Sequence, residues 1–98
     1  MKWEREIKKA IATRRNLKLL YDGEERIVSP HIFGTSSAHH PLLSVYQLKN
    51  LDDPSIKPEW RSFDVTKISA VEVLEEPMKV RYDYNPRDRN FEQVISQV

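Results

Sequence analysis

A mainly β fold with flanking helices is predicted for this 98-residue chain, on three observations. The run Pro41 to Lys49 is apolar on both faces, which suits the middle of a curled sheet better than an edge. Four further short extended segments are separated from it and from one another by turn residues. The N-terminal segment instead repeats its apolar residues at helical spacing.

Trp3, Ile7, Ala10 and Ile11 recur three and four residues apart among Lys, Arg and Glu, which predicts an amphipathic helix over residues 2–15. Glu4 and Glu6 fall in its first turns and Arg14-Arg15 in its last, as the helix dipole favours, and Asn16 is the expected stop. Leu17 to Tyr21 reads as a strand, Asp22-Gly23 as a tight hairpin turn and Arg26 to Phe33 as the second strand. Pro30 lacks a backbone donor, so this strand must bend, bulge or lie at an edge there. The polar loop Gly34 to His40 leads into the central strand. Trp60 to Val65 is that strand's natural antiparallel partner, across a loop carrying Asp52, Asp53, Pro54 and Pro58. After the short step Thr66-Lys67, Ile68 to Leu74 alternates as a fifth strand.

Five short antiparallel strands are expected to close as a small SH3-like or OB-like barrel, because closure removes unpaired edges. Residues 78–90 are irregular, with Tyr82 and Tyr84 among Arg81, Arg87 and Arg89, and are expected to strap across the barrel. Asn90 is a candidate cap for a short C-terminal helix, Phe91 to Gln97, docked through Phe91, Val94 and Ile95. The whole is one domain, 1–98, with helix 2–15, barrel 17–76, and strap and short helix 77–98.

Charge narrows the function classes less than its distribution does. The formal net charge is +1, so the overall balance favours neither nucleic acid nor membrane. Residues 1–18, however, hold Lys2, Arg5, Lys8, Lys9, Arg14, Arg15 and Lys18 against only Glu4 and Glu6, a solvated helix face or an anion-facing patch. With no cysteine there is neither disulfide nor thiolate chemistry, which fits a reducing compartment. No signal peptide and no membrane-length apolar run is legible, so a cytoplasmic protein is expected.

In its order of residues the chain resembles the WYL domain family, and specifically the family's small stand-alone members. The likeness runs through Ala10-Ile11, Arg14-Arg15, Leu17, Leu19 and Tyr21, then Arg26, Val28 and Pro30-His31. It continues at Leu43, Val45-Tyr46-Gln47, Trp60-Arg61, Phe63, Val65 and Ile68. Of the three residues that name the family, only the leucine is present, at Leu43, and Lys67 stands where an arginine is usual. The resemblance implies an SH3-like (Sm-like) β-barrel preceded by one helix. It also implies a ligand-sensing module used in transcription regulation, binding single-stranded DNA or nucleotide-type signals on a basic and aromatic surface.

The candidate ligand residues are Arg26, His31, Tyr46, Trp60, Arg61 and Lys67. Arg26, Arg61, Lys67 and His31 are placed to contact phosphate if the barrel brings them to one rim, and Tyr46 or Trp60 to stack on a base. The plainer reading makes Trp60, Phe63 and Tyr46 core or half-core aromatics. Trp60 and Phe63 have opposite parity, so Phe63 is expected inside with Arg61 sharing its side. His31, His39 and His40 lack the convergent spacing of a metal site. No nucleophile elbow, phosphate-cradling glycine loop or spaced carboxylate pair is present, so no enzyme activity and no cofactor are expected. The expected partner is single-stranded nucleic acid or a nucleotide. The alternative is a homodimer or protein-interaction module without a small ligand.

Overall fold

Helix α1 spans Glu4–Thr13 in the computed structural model, which describes residues 1–98. It buries Ile7, Ala10 and Ile11 and sets Glu4 and Glu6 in its first turn, as the spacing predicts. The helix is shorter than expected because left-handed backbone bounds it on both sides, at Trp3 (φ 65°) and Arg14 (φ 54°). The Arg14 amide turns back to the carbonyls of Ala10 and Ile11, so the Arg14-Arg15 pair lies beyond the last turn. Arg15 instead opens the first strand, its Nε donating to the Leu74 carbonyl at 2.8 Å. Asn16 is buried, donating to Glu76 at 2.6 Å and accepting from the Ser29 hydroxyl at 2.6 Å.

Strand β1 (Arg15–Tyr21) and strand β2 (Glu24–Thr35) form the expected hairpin. Its turn residues Asp22 and Gly23 both take positive φ (53° and 74°), the pattern of a type I′ turn whose twist matches the strands. Strand β3 (Pro41–Asn50) runs antiparallel beside β2, and strand β4 (Glu59–Asp64) beside β3, with Leu43 opposite Phe63 and Tyr46 opposite Trp60. A single 3-10 turn, Val65–Lys67, is capped by the Asp64 carboxylate and leads into strand β5 (Ile68–Pro77), which returns to pair with β1.

Strand β2 organises the sheet. One of its sides is taken by β3 along its length; the other is shared between β1, as far as Val28, and strand β6 (Gln93–Gln97), from Ile32 onward. Pro30 falls in the gap between those two partners, where its missing N–H forfeits no ladder bond. The β2–β3 register also shifts between Pro30 and Ile32, leaving His31 as the extra residue of a bulge.

Two expectations are corrected here. The sheet has six strands in the order β4-β3-β2-β1-β5, with β6 added on β2, and it is not a closed barrel because β4 and β5 do not pair. It curls far enough to bring the Tyr21 ring of β1 within 4.5 Å of the Phe63 ring of β4. Closure is forgone because α1 lays Ile7, Ala10 and Ile11 on the same core as Leu17, Phe33 and Phe63, covering with a helix what a closing strand pair would bury. The second correction concerns residues 91–97, which form β6 rather than a helix. The open half of β2's edge offers a ladder that a helix of about two turns cannot match, and Val94 and Ile95 suit a strand. Of the expected anchors, Phe91 is buried and Ile95 packs on the core, whereas Val94 points to solvent. No helix of the chain is long and apolar enough to cross a membrane.

A cleft between the sheet and the C-terminal strap

The face of the sheet turned away from the core carries Ser44, Tyr46, Trp60 and Ser62, paired across β3 and β4 as Ser44–Ser62 and Tyr46–Trp60. The β2 bulge adds His31 to this face. Residues 78–90 cross it as the expected strap. Met78 is buried and donates its amide to the Arg14 carbonyl at 2.9 Å. The Arg81 amide donates to His31 Nε2 at 3.2 Å, and the Arg81 guanidinium lies 4.0 Å from the Tyr46 ring centre. Asp83 accepts from Trp60 Nε1 at 3.1 Å and pairs with Arg81 at 3.2 Å. Tyr84 sets its ring 5.2 Å from that of His31 and donates its hydroxyl to the Val98 carbonyl.

An aromatic group results, with His31 and Trp60 ring centres 4.7 Å apart and Tyr46 and Trp60 5.5 Å apart, both edge-on. Beside Trp60 the strap stands off the sheet and leaves a cleft of about 300 Å³. Its sheet wall is Ile32, Ser44, Trp60, Arg61 and Ser62; its strap wall is Asp83, Tyr84, Asn85, Asp88 and Asn90. Three hydroxyls, two carboxylates and two carboxamides thus line the space around one indole, with Arg61 at its margin.

Electrostatics fix the aromatic group in one state. His31 is fully buried, and its Nδ1 lies 2.8 Å from the Ser29 carbonyl, so Nδ1 carries the proton and Nε2 accepts from the strap. Burial pulls the His31 pKa below its usual value; Arg81 and Arg14 push the same way, against the Ser29 carbonyl and Asp83. The Asp83 carboxyl titrates below the ordinary range chiefly because the Trp60 indole N–H donates to it. Asp64 is lowered likewise, first by the Thr66 hydroxyl, at the 3-10 turn.

The six residues expected to share one basic, aromatic rim do not converge. His31, Tyr46 and Trp60 stand together on the strap-covered face, and Arg61 lines the cleft beside Trp60. Arg26 lies on the core side, 4% exposed, bonded to Gln47 at 3.3 Å, the Tyr21 carbonyl at 3.3 Å and Glu24 at 3.1 Å. Arg26 and Arg61 do meet on one aromatic ring, at 5.3 and 5.8 Å from the centre of Phe63, which is inside with Arg61 on its side as parity requires. Each, however, is held by a glutamate two residues upstream in its own strand, Arg26 by Glu24 and Arg61 by Glu59 at 3.1 Å. Neither is a free phosphate ligand at a rim. Lys67 sits exposed on the 3-10 turn, in neither group.

Asp83, Asn85, Asp88 and Asn90 were not among the expected ligand residues. Their only sequence signal is the density of Asp and Asn in an irregular segment, where short side chains bond to nearby amides, as Asn85 does to Arg87 and Asp88 to Asn90. Of the two strap tyrosines, Tyr84 lines the cleft and Tyr82 is 91% exposed. No three His, Asp or Glu side chains come together as a metal site would require. Comparison with protein-family models, with curated proteins and with solved structures finds no match for this chain.

Proposed function

We propose that this chain is a non-enzymatic, WYL-like ligand-binding regulatory module, and that its ligand is a small nucleobase-bearing molecule held in the Trp60 cleft. The curled sheet with its 3-10 turn before β5 is read, on this proposal, as an open SH3-like (Sm-like) arrangement. The observation that carries the reading is the ring of hydrogen-bonding side chains converging on one indole in a cleft of about 300 Å³, at the lower end of the usual range for small-ligand sites. A base offers a flat face to the indole, and its exocyclic amino and ring groups offer edges to carboxylates and carboxamides. The cleft wall holds two carboxylates and one arginine. Uncharged nucleosides therefore suit it better than multiply phosphorylated nucleotides, the more so because the Arg61 guanidinium is already paired with Glu59.

Calorimetric titration with the four ribonucleosides and their monophosphates tests this. Saturable binding of at least one nucleoside, lost in Asn90→Ala and weakened in Ser62→Ala, supports the reading. Binding only of the monophosphates, or no heat at millimolar ligand, rejects it. A second reading, pairing with another chain, has one observation in its favour: the outer edges of β4 and β5 are unpaired in the sheet. A mass by light scattering that rises with concentration and falls when a proline is placed at Ser62 supports that reading instead.

A further inference from the structure

Four of the cations gathered in the first residues, Lys2, Arg5, Lys8 and Lys9, do not join the cleft; they form a surface of their own. Residues 1–18 hold seven basic and two acidic side chains, net +5, which leaves nine basic against thirteen acidic in residues 19–98, net −4. The chain is nearly neutral only as a sum. Outside α1 the structure pairs several of its cations, Lys18 with Glu25, Arg26 with Glu24, Arg61 with Glu59 and Arg81 with Asp83. On α1 the only ion pair is Lys8 with Glu4 at 3.9 Å, while Arg5 and Lys9 stand exposed with no carboxylate within bonding range.

Docking fixes which way these side chains face. Ile7 and Ala10 are 0% exposed and Ile11 2%, so the opposite face of α1 is held outward. That face presents Arg5, Lys8 and Lys9 around exposed Ala12, whose small side chain leaves a shallow open groove between them, with Lys2 at the turn before the helix. We propose that this face of α1 binds the phosphodiester backbone of double-stranded nucleic acid, without regard to base sequence. Arg5 and Lys9 are one turn apart, about 6 Å along the axis, against roughly 3.4 Å per nucleotide along one strand. The four cations therefore reach about three phosphates, and each contact releases condensed counterions.

The same surface suits other partners less well. A membrane-surface helix needs a free apolar face to sink between headgroups, and α1 has spent its own on the core. Protein interfaces deplete lysine at their centres, whereas this face is built from it. Single strands are favoured by stacking platforms, and the nearby aromatic, Trp3, is tied into the fold by its Nε1 bond to the Ile68 carbonyl at 2.9 Å. The proposal is independent of the Trp60 cleft, and either can fail alone.

Fluorescence anisotropy of a labelled 20-base-pair duplex is the test. Three neutralised phosphates give a slope of about −2.7 in log K against log salt, a roughly 40-fold weakening between about 50 and 200 mM. The double variant Arg5→Glu/Lys9→Glu, on exposed positions whose fold is checked by circular dichroism, is expected to lose at least about tenfold in affinity and most of the slope. The control Lys49→Glu/Lys57→Glu makes the same change in net charge on β3 and the following loop and is expected to bind within about twofold of the parent. Equal binding by the two double variants, or a parent titration indifferent to salt, overturns the proposal. So does parent protein that prefers phosphatidylserine vesicles over the duplex and loses that preference in Arg5→Glu/Lys9→Glu.

Discussion

Acidification should loosen the strap through one buried histidine. His31 is fully buried, donates from Nδ1 to the Ser29 carbonyl and accepts at Nε2 from the Arg81 amide. A second proton turns that acceptor into a donor facing a donor, and places a charge near Arg81 and Arg14 with only Asp83 to offset it. Because the folded pKa lies below the ordinary value of 6.5, the unfolded chain binds the proton more readily. The contribution of His31 is therefore complete above pH 6.5 and is lost as pH falls below it, until the depressed folded pKa is reached. Each unit within that window costs at most about 1.4 kcal/mol. The ceiling is thus about 1.4 kcal/mol at pH 5.5 and about 2.7 kcal/mol at pH 4.5. With a urea dependence of about 1 kcal/mol per molar for a domain this small, the first figure moves the unfolding midpoint by at most about 1.4 M. Asp64 and Asp83 are shifted downward from 3.8, so their titration falls below this window. The assay is urea unfolding read by tryptophan fluorescence at half-unit steps from pH 7.5 to 4.5, with His31→Gln beside the parent. His39 and His40 are exposed and remain in both. A midpoint that declines below pH 6.5 in the parent and stays level in His31→Gln is expected. Equal decline in both proteins refutes the reasoning.

Three further outcomes are expected. At Gly34 a β-carbon would collide with the Gln93 carbonyl oxygen and crowd the Phe91 ring at 3.0 Å; Gly34→Ala should therefore cost more than about 2 kcal/mol in urea unfolding, and a loss under about 0.5 kcal/mol would show that β6 does not lie against β2 as described. Arg26 is buried with its Nε, the Gln47 Nε2 and the Asn50 Nδ2 all lacking an acceptor, so Arg26→Met should be tolerated within about 1 kcal/mol while Arg26→Ala costs roughly 2–4 kcal/mol; thermal melts separate these, and equal losses contradict the packing argument. Deleting residues 91–98 removes β6 and the Val98 contacts to His31 and Tyr84, so the truncated chain should lose its cooperative melt, whereas a melt within a few degrees of the parent would show that the C-terminal strand is dispensable.

Much of the fold was legible because its signals are local. Short apolar or alternating runs bounded by turn residues marked five of the six strands, Asp22-Gly23 the hairpin turn, and Pro30 the interruption in β2. The sixth strand was not, because what makes residues 93–97 extended is the half of β2's edge that β1 leaves open, a fact about chain lengths in three dimensions. Closure failed for a related reason: strand counting weighs edges but not the helix that covers the same core. For the site, the aromatic residues His31, Tyr46 and Trp60 were readable, and the cations were over-read. Glu24 precedes Arg26 and Glu59 precedes Arg61 by two residues, a spacing that puts both side chains of a pair on one face of a strand. The neutralising partners were therefore in plain view in the sequence. The strap's Asp83, Asn85, Asp88 and Asn90 had no periodicity to place them, since an irregular segment is positioned only by what it touches.

The most direct measurement is the two-dimensional proton–nitrogen correlation spectrum of the tryptophan indoles during a nucleoside titration. The protein has two such groups, Trp60 Nε1–H on Asp83 in the cleft wall and Trp3 Nε1–H on the Ile68 carbonyl by α1. Ligand in the cleft should shift the Trp60 resonance saturably and leave that of Trp3 in place. A Trp60 resonance that stays fixed up to millimolar nucleoside, or a Trp3 resonance that moves alone, would contradict a ligand site beside Trp60.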